Sequence, residues 1–226
     1  MKRYNGFYCR FVKRILDIIV SGLALLLFFW LYAIIALLVL IFHGAPVIFA
    51  QERPGKIDPK TGKPKIFKLY KFRSMTNAKD ENGKLLPDAK RLTKFGKILR
   101  ATSLDEIPEA WNILKGDMSV VGPRPWLVRY LNYYTDYEIQ RQLVRPGLTG
   151  WAQVNGRNAS GWEERFRYDV EYVQKVNLWL DIKIIFMTVM NVFTHKNIDF
   201  EKGHQTLREY FNEKKAREAE EEKTDD

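Results

Sequence analysis

The feature that most constrains this chain is an uncharged, apolar stretch close to its N-terminus. Residues 18–42 contain no charged side chain over 25 positions, and about 20 apolar residues are enough for a helix to cross a bilayer. A secretory signal peptide is one alternative, since residues 1–14 hold five basic residues and no acid. Signal peptides have apolar cores of only about 7–15 residues followed by a cleavage site. We therefore favour a membrane-embedded segment over a signal peptide or a buried soluble helix.

The remaining composition narrows the chemistry. The net charge is +10, and residues 201–226 carry six Lys or Arg against nine Asp or Glu, so residues 1–200 carry +13. Such a charge attracts phosphates, whether in nucleic acid, anionic lipid or a nucleotide. A single cysteine, Cys9, excludes an internal disulfide, and three scattered histidines give no zinc-like cluster. Any metal would have oxygen ligands.

Local patterns predict a mixed, mainly helical chain. Alternation predicts a short strand at 66–72 and an extended segment at 46–49, with breakers at Pro54-Gly55 and a polar loop over 77–88. Helices are predicted at 91–101, 104–114, 127–137, 160–176 and 181–193, and the acidic tail after Gln205 is expected to be a solvated, fraying helix. The helix at 181–193 carries few charges and would lie at a membrane interface or in an ordinary core.

The sequence Ser103-Leu104-Asp105-Glu106 admits two interpretations. Ser103 with Glu106 three residues later matches a capping box, and acids in a first helical turn complement the helix dipole. The same position at a helix N-terminus would keep Asp105 ionised beside a phosphate site. An aspartate placed there is a candidate nucleophile, and the Asp-Glu pair is a candidate Mg²⁺ site.

Basic residues beside turn residues form a second set of candidates. Arg124 lies between two prolines, which restrict its backbone and favour a guanidinium held ready for a phosphate. Taken singly, each such residue is also explained as a surface charge. The set comprises Lys71, Arg73, Arg100, Arg124, Arg145 and Arg157.

The segment 145–157 is rich in glycine and amides. Its three glycines with Thr149, Gln153 and Asn155 offer hydrogen bonds to a nucleotide. Its spacing matches neither a Walker loop nor a dinucleotide-binding fingerprint. A purely structural turn explains the glycines equally well.

Five motifs in order resemble the bacterial sugar transferases, and more narrowly the small monotopic phosphoglycosyl transferases of the PglC type. The resemblance covers residues 13–194, nearly all of the chain. The motifs are KRILD at 13–17, YKFRSM at 70–75, SLDEIP at 103–108, GDMSVVGPRP at 116–125, and the segment 145–157.

This resemblance implies a phosphoglycosyl transferase that uses a UDP-sugar and polyprenyl phosphate, with Mg²⁺ as cofactor. Asp105 would attack the β-phosphate, release UMP and form a phosphosugar-aspartyl intermediate, which polyprenyl phosphate then attacks. Glu106 would support the metal or leaving group. By similarity, the residues that contact phosphate, nucleotide or sugar would be Lys71, Arg100, Arg124, Arg145, Gln153, Asn155, Arg157 and Asp169.

The resemblance also implies an architecture and a location. We expect an α+β fold, mainly helical with a few short strands: residues 1–45 form a basic N-terminus and a re-entrant membrane helix, 46–200 a compact cytoplasmic catalytic domain with interfacial amphipathic helices, and 201–226 a charged tail. The expected location is the cytoplasmic face of a bacterial inner membrane, in contact with lipid and with downstream glycosyltransferases, and without nucleic acid. A membrane-anchored module that binds nucleic acid or anionic lipid is the alternative, together with a non-catalytic scaffold.

One departure concerns the membrane segment. Relatives usually carry a Ser-Pro break at its centre, where this chain reads Phe29-Trp30-Leu31-Tyr32. Residues 18–42 contain no proline, and Ser21-Gly22 is their only pair of small residues. A spanning helix is therefore the direct rival of the re-entrant form.

Overall fold

The computed structural model describes residues 3–155, 161–194 and 206–224. Its N-terminal segment consists of two helices joined at a sharp bend. A π-helical turn, Tyr8–Val12, leads into α1, Lys13–Leu27, and α2 spans Phe29–His43. The two axes differ in direction by 65°. In the described residues no single helix is long and apolar enough to cross a membrane, whereas this bent pair together meets that criterion by length and composition.

The bend occurs at Phe28 and requires no proline. Phe28 leaves the helical region with φ −107° and ψ 15°, whereas Ser21, at the small-residue pair, lies within continuous α1 and donates to the Asp17 carbonyl oxygen at 2.6 Å. The two helices pack on different neighbours: α1 contacts the helix that begins at Glu109, and α2 buries Val39 beside Phe72. Tertiary packing thus bends the segment where its sequence contains no breaker.

A long antiparallel hairpin follows the membrane-type segment. Strands β1, Ile48–Ile57, and β2, Pro64–Phe72, pair with Ile48 opposite Phe72. The strand predicted at 66–72 is confirmed, but Pro54-Gly55 does not break the chain, because a register shift between Pro54 and Ile57 accommodates it. A side chain at Gly55 would lie 2.9 Å from the Lys65 carbonyl oxygen, so this close approach requires glycine.

The middle of the chain is divided into shorter helices than its sequence predicts. After the loop of 77–88, α3 spans Asp88–Arg91 and α4 spans Lys94–Ala101, with Thr93 accepting from the Gly96 backbone N–H. The predicted helix at 104–114 is a 3₁₀ turn, Leu104–Glu106, followed by α5, Glu109–Lys115. Pro108 separates the two, since its ring has no N–H to continue the first turn.

After α5 the chain forms two short parallel strands, with two 3₁₀ segments between them in the sequence. Strand β3, Ser119–Val121, pairs with β4, Gly147–Thr149. Between them the predicted helix at 127–137 is instead a 3₁₀ segment, Val128–Tyr133, and a second one spans Glu138–Leu143. The reason is local: the chain becomes extended again at Tyr134, and both the backbone N–H and the hydroxyl of Thr135 donate to Glu138.

The C-terminal part is helical. Helices α7, Trp162–Lys175, and α8, Leu178–Phe193, agree with the predicted helical periods at 160–176 and 181–193. They follow a short helix α6, Trp151–Asn155, which lies in the segment predicted as a loop or turn. The main core lies between α7, α8 and the short sheet, where Tyr172, Val173 and Ile184 are buried. The opposite side of α8 exposes apolar side chains, namely Trp179, Phe186, Val189 and Val192.

The tail is not merely solvated. Helix α9 spans Leu207–Thr224, and Leu207, Tyr210 and Phe211 at its start are buried against Tyr130 and Phe166. The acidic composition of the tail predicts a solvated helix, but most of its acidic residues lie further along the helix than the buried ones. The expected boundary at residue 200 lies outside the described residues.

Candidate active site

The candidate site is a cavity of about 1490 Å³ between β2, the 3₁₀ turn at 104–106 and the apolar helices. One wall is polar and includes Lys71, Arg100, Asp105, Glu106 and Arg124. The opposite wall is apolar and comes from α1, α2 and α8. It includes Leu25, Phe28, Phe29, Tyr32, Ile185, Val189 and Val192. One cavity therefore offers charged groups for a phosphate and an apolar surface for a hydrocarbon.

Asp105 is held by a special backbone turn. Ser103 has φ +55°, and its side chain makes no cap hydrogen bond, so the predicted capping box is wrong. This left-handed residue leads into the 3₁₀ turn that carries Asp105 to the cavity wall, with 8 % of the residue exposed. Within the described chain the Asp105 carboxylate has no hydrogen bond or ion pair.

The expected effect of a helix N-terminus on Asp105 is not found. Burial raises the pKa of Asp105, the charge of Glu106 adds to the rise, and Lys71 and Arg100 oppose it. Only one short 3₁₀ turn surrounds the carboxylate, so no extended helix dipole offsets its desolvation. Nearby cations are therefore what favour its charged form.

Glu106 is the anionic partner of two cations. Its Oε1 accepts from Lys71 Nζ at 2.6 Å and from Arg124 Nη2 at 2.8 Å. Burial alone would raise the pKa of Glu106, but the charges of Arg124 and Lys71 outweigh it and lower that pKa. In turn, Glu106 raises the pKa of Arg124. The sequence predictions for Lys71, Glu106 and Arg124 thus converge on one cluster.

Glu109 is a member of this cluster that sequence reasoning missed. Its Oε1 lies 3.1 Å from Lys71 Nζ, and the residue is 2 % exposed. Burial raises the pKa of Glu109 to about 7, with Lys71 opposing the rise. The available signal was its spacing, because residues three apart in a helical segment point to the same side. Lys71 is therefore shared by an ionised Glu106 and a Glu109 that readily holds a proton.

The turn that carries Arg124 is anchored from two sides. Arg53 Nη1 donates to the Pro125 carbonyl oxygen at 3.1 Å, and Arg141 Nη2 donates to the Arg124 carbonyl oxygen at 2.5 Å. Gly122 passes so close to the segment that leads into β4 that a side chain would lie 2.4 Å from the Arg145 carbonyl oxygen. The guanidinium of Arg124 therefore extends from a fixed backbone.

Asp169 lines the cavity, but its carboxylate already pairs with Arg141. Its Oδ2 accepts from Arg141 Nε at 2.9 Å and Nη2 at 2.7 Å. Arg141 is 1 % exposed, and the faces of Trp126, Tyr134 and Phe166 surround its guanidinium. Asp169 thus pairs with the same Arg141 that supports the Arg124 turn. Oδ1 of Asp169 makes no hydrogen bond in the described chain.

The other predicted site residues are dispersed. Arg100 lines the cavity, donating from Nε to Ser74 Oγ at 2.9 Å, and Gln153 lines it while donating to the Leu148 carbonyl oxygen. Asn155 is exposed, donates to the Trp151 carbonyl oxygen and does not line this cavity. Arg145 lines a separate, smaller cavity, because β4 carries the segment 145–149 across the short sheet. Arg157 lies outside the described residues.

The carboxylates of the cluster fit a magnesium ion that takes its remaining ligands from phosphate oxygens. The described chain contains no group of three His, Cys, Asp or Glu residues that would hold a metal alone. Mg²⁺ commonly uses one or two carboxylates together with phosphate oxygens. The carboxylate of Asp105 lacks a protein partner in the described residues, and Glu106 has only Oε1 engaged. These two residues fit such an ion.

The cavity thus joins a charged wall to an apolar wall, and comparison with known proteins identifies the class. The family model described as bacterial sugar transferase matches residues 8–195. The chain belongs to this family and is a transferase. The resemblance inferred from its five motifs is thereby confirmed.

Three relatives illustrate the similarity. An uncharacterized sugar transferase, EpsL, of Bacillus subtilis is 52 % identical over 69 % of this chain and 74 % of its own length. UDP-glucose:undecaprenyl-phosphate glucose-1-phosphate transferase of Escherichia coli is 42 % identical over 83 % of this chain and 41 % of its own length. UDP-N-acetylgalactosamine-undecaprenyl-phosphate N-acetylgalactosaminephosphotransferase of Aeromonas hydrophila is 37 % identical over 81 % and 44 %. The chain spans less than half of the latter two relatives.

Proposed function

We propose that this chain transfers a sugar 1-phosphate from a UDP-sugar to undecaprenyl phosphate and releases UMP. The observation that carries the proposal is the Asp105 carboxylate, which has no partner among the described residues. It shares a cavity wall with Lys71, Arg100 and Arg124 and faces an apolar wall in the same cavity. The names of relatives from Escherichia coli and Aeromonas hydrophila describe this class of reaction with glucose and N-acetylgalactosamine. The product would enter glycoconjugate assembly, where downstream glycosyltransferases extend it.

We propose a ping-pong mechanism with Asp105 as nucleophile. A carboxylate oxygen of Asp105 forms a bond to the β-phosphorus, while the bond from that phosphorus to the bridging oxygen breaks and the oxygen leaves with UMP. An oxygen of undecaprenyl phosphate then attacks the same phosphorus, and the Asp105 carboxylate leaves. Both steps transfer one phosphoryl group, so no oxidant or further reactant is needed.

The cations of the polar wall fit the charge that this chemistry develops. Lys71 and Arg124 both pair with Glu106 on the cavity wall, where either side chain would contact phosphoryl oxygens. Arg100 adds a third positive charge near Asp105. Mg²⁺, when held by Asp105 and Glu106, would supply additional neutralisation of the diphosphate.

The apolar helices fit a lipid-embedded substrate. The proposed arrangement places α1 and α2 in the cytoplasmic leaflet of the inner membrane as a re-entrant pair, with the exposed apolar side of α8 at the interface. The undecaprenyl chain would lie along the apolar cavity wall, and its phosphate would approach Asp105 from the membrane side. The UDP-sugar would enter from the cytoplasm.

The decisive experiment follows the phosphosugar. With a UDP-sugar radiolabelled in its β-phosphate, we expect the wild-type chain to become labelled without acceptor and to lose the label when undecaprenyl phosphate is added. Asp105→Asn should abolish both labelling and UMP release, because an amide is too weak a nucleophile. Glu106→Gln should reduce turnover yet retain some labelling. Normal turnover by Asp105→Asn would refute the mechanism.

Metal dependence provides a separate test. We expect UMP release to need Mg²⁺ or Mn²⁺ and to stop in excess EDTA, since the available ligands are carboxylate oxygens. Adding back Mg²⁺ above the chelator concentration should restore the rate. Undiminished UMP release in EDTA would exclude the metal, while leaving the role of Asp105 open to the labelling experiment.

A further inference from the structure

A second, smaller cavity of about 240 Å³ lies at the other end of the β-hairpin. Strand β2 contributes Lys71 to the main cavity and Lys65 with Phe67 to the second one. The two lysines are six residues apart along the strand, or about 20 Å at 3.3 Å per residue. The cavities share no lining residue, so the second one is a distinct site.

Arg145 enters the second cavity with most of its hydrogen-bonding capacity unused. Its Nε donates to the Gly116 carbonyl oxygen at 2.9 Å. Its two terminal nitrogens have no acceptor within the described residues. Burial and the neighbouring charge of Arg14 lower the pKa of Arg145, with Asp17 opposing. The half-buried guanidinium thus presents two free donor groups to the cavity.

Lys56 adds a second cation without a partner. The residue is half-buried, and its ammonium makes no hydrogen bond or ion pair in the described part of the chain. Burial and the charge of Arg145 lower the pKa of Lys56. Two cations that repel one another in a partly desolvated cavity would be stabilised by an anion between them.

Two acids also line the cavity, Asp58 and Asp117, and in the described residues neither pairs with Lys56 or Arg145. Asp117 pairs with Lys115 at 3.1 Å, and Oδ1 of Asp58 accepts from the Lys60 backbone N–H at 2.8 Å. Lys65 adds a further positive charge to the lining. The lining thus carries three cations, Lys56, Lys65 and Arg145, against two carboxylates, a formal charge of +1.

We propose that Lys56 and Arg145 form a second anion site, separate from the transferase cavity, that binds a phosphate group. A guanidinium with two free donors and an ammonium beside it match the several oxygens of a phosphate. The cavity has ample room for one phosphate group, either inorganic phosphate or the phosphodiester headgroup of an anionic lipid. The proposal does not depend on the reaction assigned to Asp105.

Equilibrium dialysis with radioactive inorganic phosphate tests the site. The full chain, in zwitterionic detergent at constant ionic strength, carries Arg124→Gln to weaken binding in the main cavity. In this background we expect Lys56→Gln or Arg145→Gln to weaken phosphate binding at least about tenfold, as for loss of a charge-assisted hydrogen bond. Lys60→Gln is the matched control, because Lys60 is exposed on the same hairpin and does not line the cavity. Its binding should remain within about twofold of the parent.

Lys56→Gln keeps the test decisive if Arg145→Gln fails to fold. The Lys56 ammonium makes no hydrogen bond among the described residues, so its loss should leave the melting temperature close to that of the Lys60→Gln chain. Equal phosphate binding by the Lys56→Gln and Lys60→Gln chains would overturn the inorganic phosphate site.

Competition separates the two sources of phosphate. Mixed micelles containing short-chain phosphatidylglycerol should displace labelled phosphate if the site accepts a lipid headgroup, whereas phosphatidylcholine micelles should not. Bound phosphate that resists both lipids supports a free anion as the ligand. If neither phosphate nor phosphatidylglycerol binds in a manner that depends on Lys56, the proposal is wrong.

Discussion

The ammonium of Lys71 bridges two carboxylates that differ in protonation. Glu106 is held ionised by Lys71 and Arg124, whereas burial raises the pKa of Glu109 to about 7. If both glutamates were ionised, the Lys71 ammonium would face two negative charges in a buried cluster. A proton on Glu109 therefore leaves Lys71 more available to Glu106 and to an incoming phosphate.

This arrangement predicts a pH dependence of stability. Between the ordinary glutamate pKa of 4.5 and about 7, the folded chain holds a proton on Glu109 that the unfolded chain has lost. The contribution of Glu109 to the free energy of unfolding then falls as pH rises through that window. We expect Glu109→Gln to flatten this slope, because the amide cannot titrate.

Chemical denaturation at pH 5 and pH 7 measures the effect. The stability lost on going from pH 5 to pH 7 should be smaller for Glu109→Gln than for the wild type. Glu81→Gln, at an exposed position, is the control and should retain the wild-type slope. An unchanged slope in Glu109→Gln would show that this carboxyl ionises normally.

The sequence predicts the charged residues that line the main cavity better than the residues packed around them. Lys71, Asp105, Glu106 and Arg124 are predicted as one site by the resemblance of their motifs to the bacterial sugar transferases, and in the structure they line one cavity. Glu109 was missed because it resembles an ordinary acid in a first helical turn. Arg145 lines a different cavity from Gln153, because neighbours in the chain need not face one cavity when a short strand lies between them.

At the scale of elements, the buried pair of Arg141 and Asp169 connects α7 to the turn that holds Arg124. The guanidinium bonds both to the carboxylate and to the Arg124 carbonyl oxygen. Removing one member leaves an uncompensated buried charge, which costs about 3–5 kcal/mol. We therefore expect Arg141→Met and Asp169→Leu to be strongly destabilised individually.

The double variant measures how strongly the contributions of Arg141 and Asp169 to stability depend on one another. Arg141→Met with Asp169→Leu should be destabilised by less than the sum of the single variants, because neither charge remains unpaired. Urea unfolding of all four chains gives the coupling energy. Simple additivity would mean that the two side chains do not depend on one another.

Helix α9 supplies a second test at this scale. Phe211 is 2 % exposed and packs against Tyr133, Tyr134 and Phe166. Replacing a buried phenylalanine by alanine costs about 3–5 kcal/mol, so Phe211→Ala should lower the midpoint of urea unfolding markedly. Glu213→Ala, exposed on the same helix, should change it little. Equal midpoints for the two variants would mean that α9 is undocked in solution.

Elements were predictable where one physical period dominates. The alternation at 66–72 and the helical period of α7 and α8 correspond to observed elements. The 3₁₀ segments were predicted as α-helices because both types present apolar residues three positions apart. The docking of α9 was hidden because its three buried residues precede a much longer charged stretch.

At the scale of the whole molecule, both ends of the apolar segment contact the same folded body. Lys13 at the start of α1 pairs with Asp181 of α8 at 2.5 Å. At the end of α2, His43 hydrogen-bonds to the Arg73 carbonyl oxygen at 2.9 Å, and Arg73 donates to the Gly44 carbonyl oxygen. A helix that crossed a bilayer between these points would separate them by about 30 Å of hydrocarbon.

The charges flanking the segment favour the same conclusion. Residues 1–14 carry +5, and residues 51–79 carry nine basic against two acidic residues. Basic flanks are retained on the cytoplasmic side, so both flanks favour one side. The 65° bend at Phe28 provides the change of direction that a re-entrant segment needs. We therefore predict that the N-terminus and the catalytic cavity lie on the cytoplasmic side.

Cysteine labelling on intact cells tests this topology. In a Cys9→Ser background, a cysteine introduced at Asn5 should be protected from an impermeant thiol reagent if the segment is re-entrant, because the membrane keeps the reagent from the cytoplasm. The same chain should react after the cells are permeabilised, which shows that folding alone does not bury the thiol. Ready labelling of the intact cells would place residue 5 outside and establish a spanning segment, despite the contacts of Lys13 and His43 with one folded body.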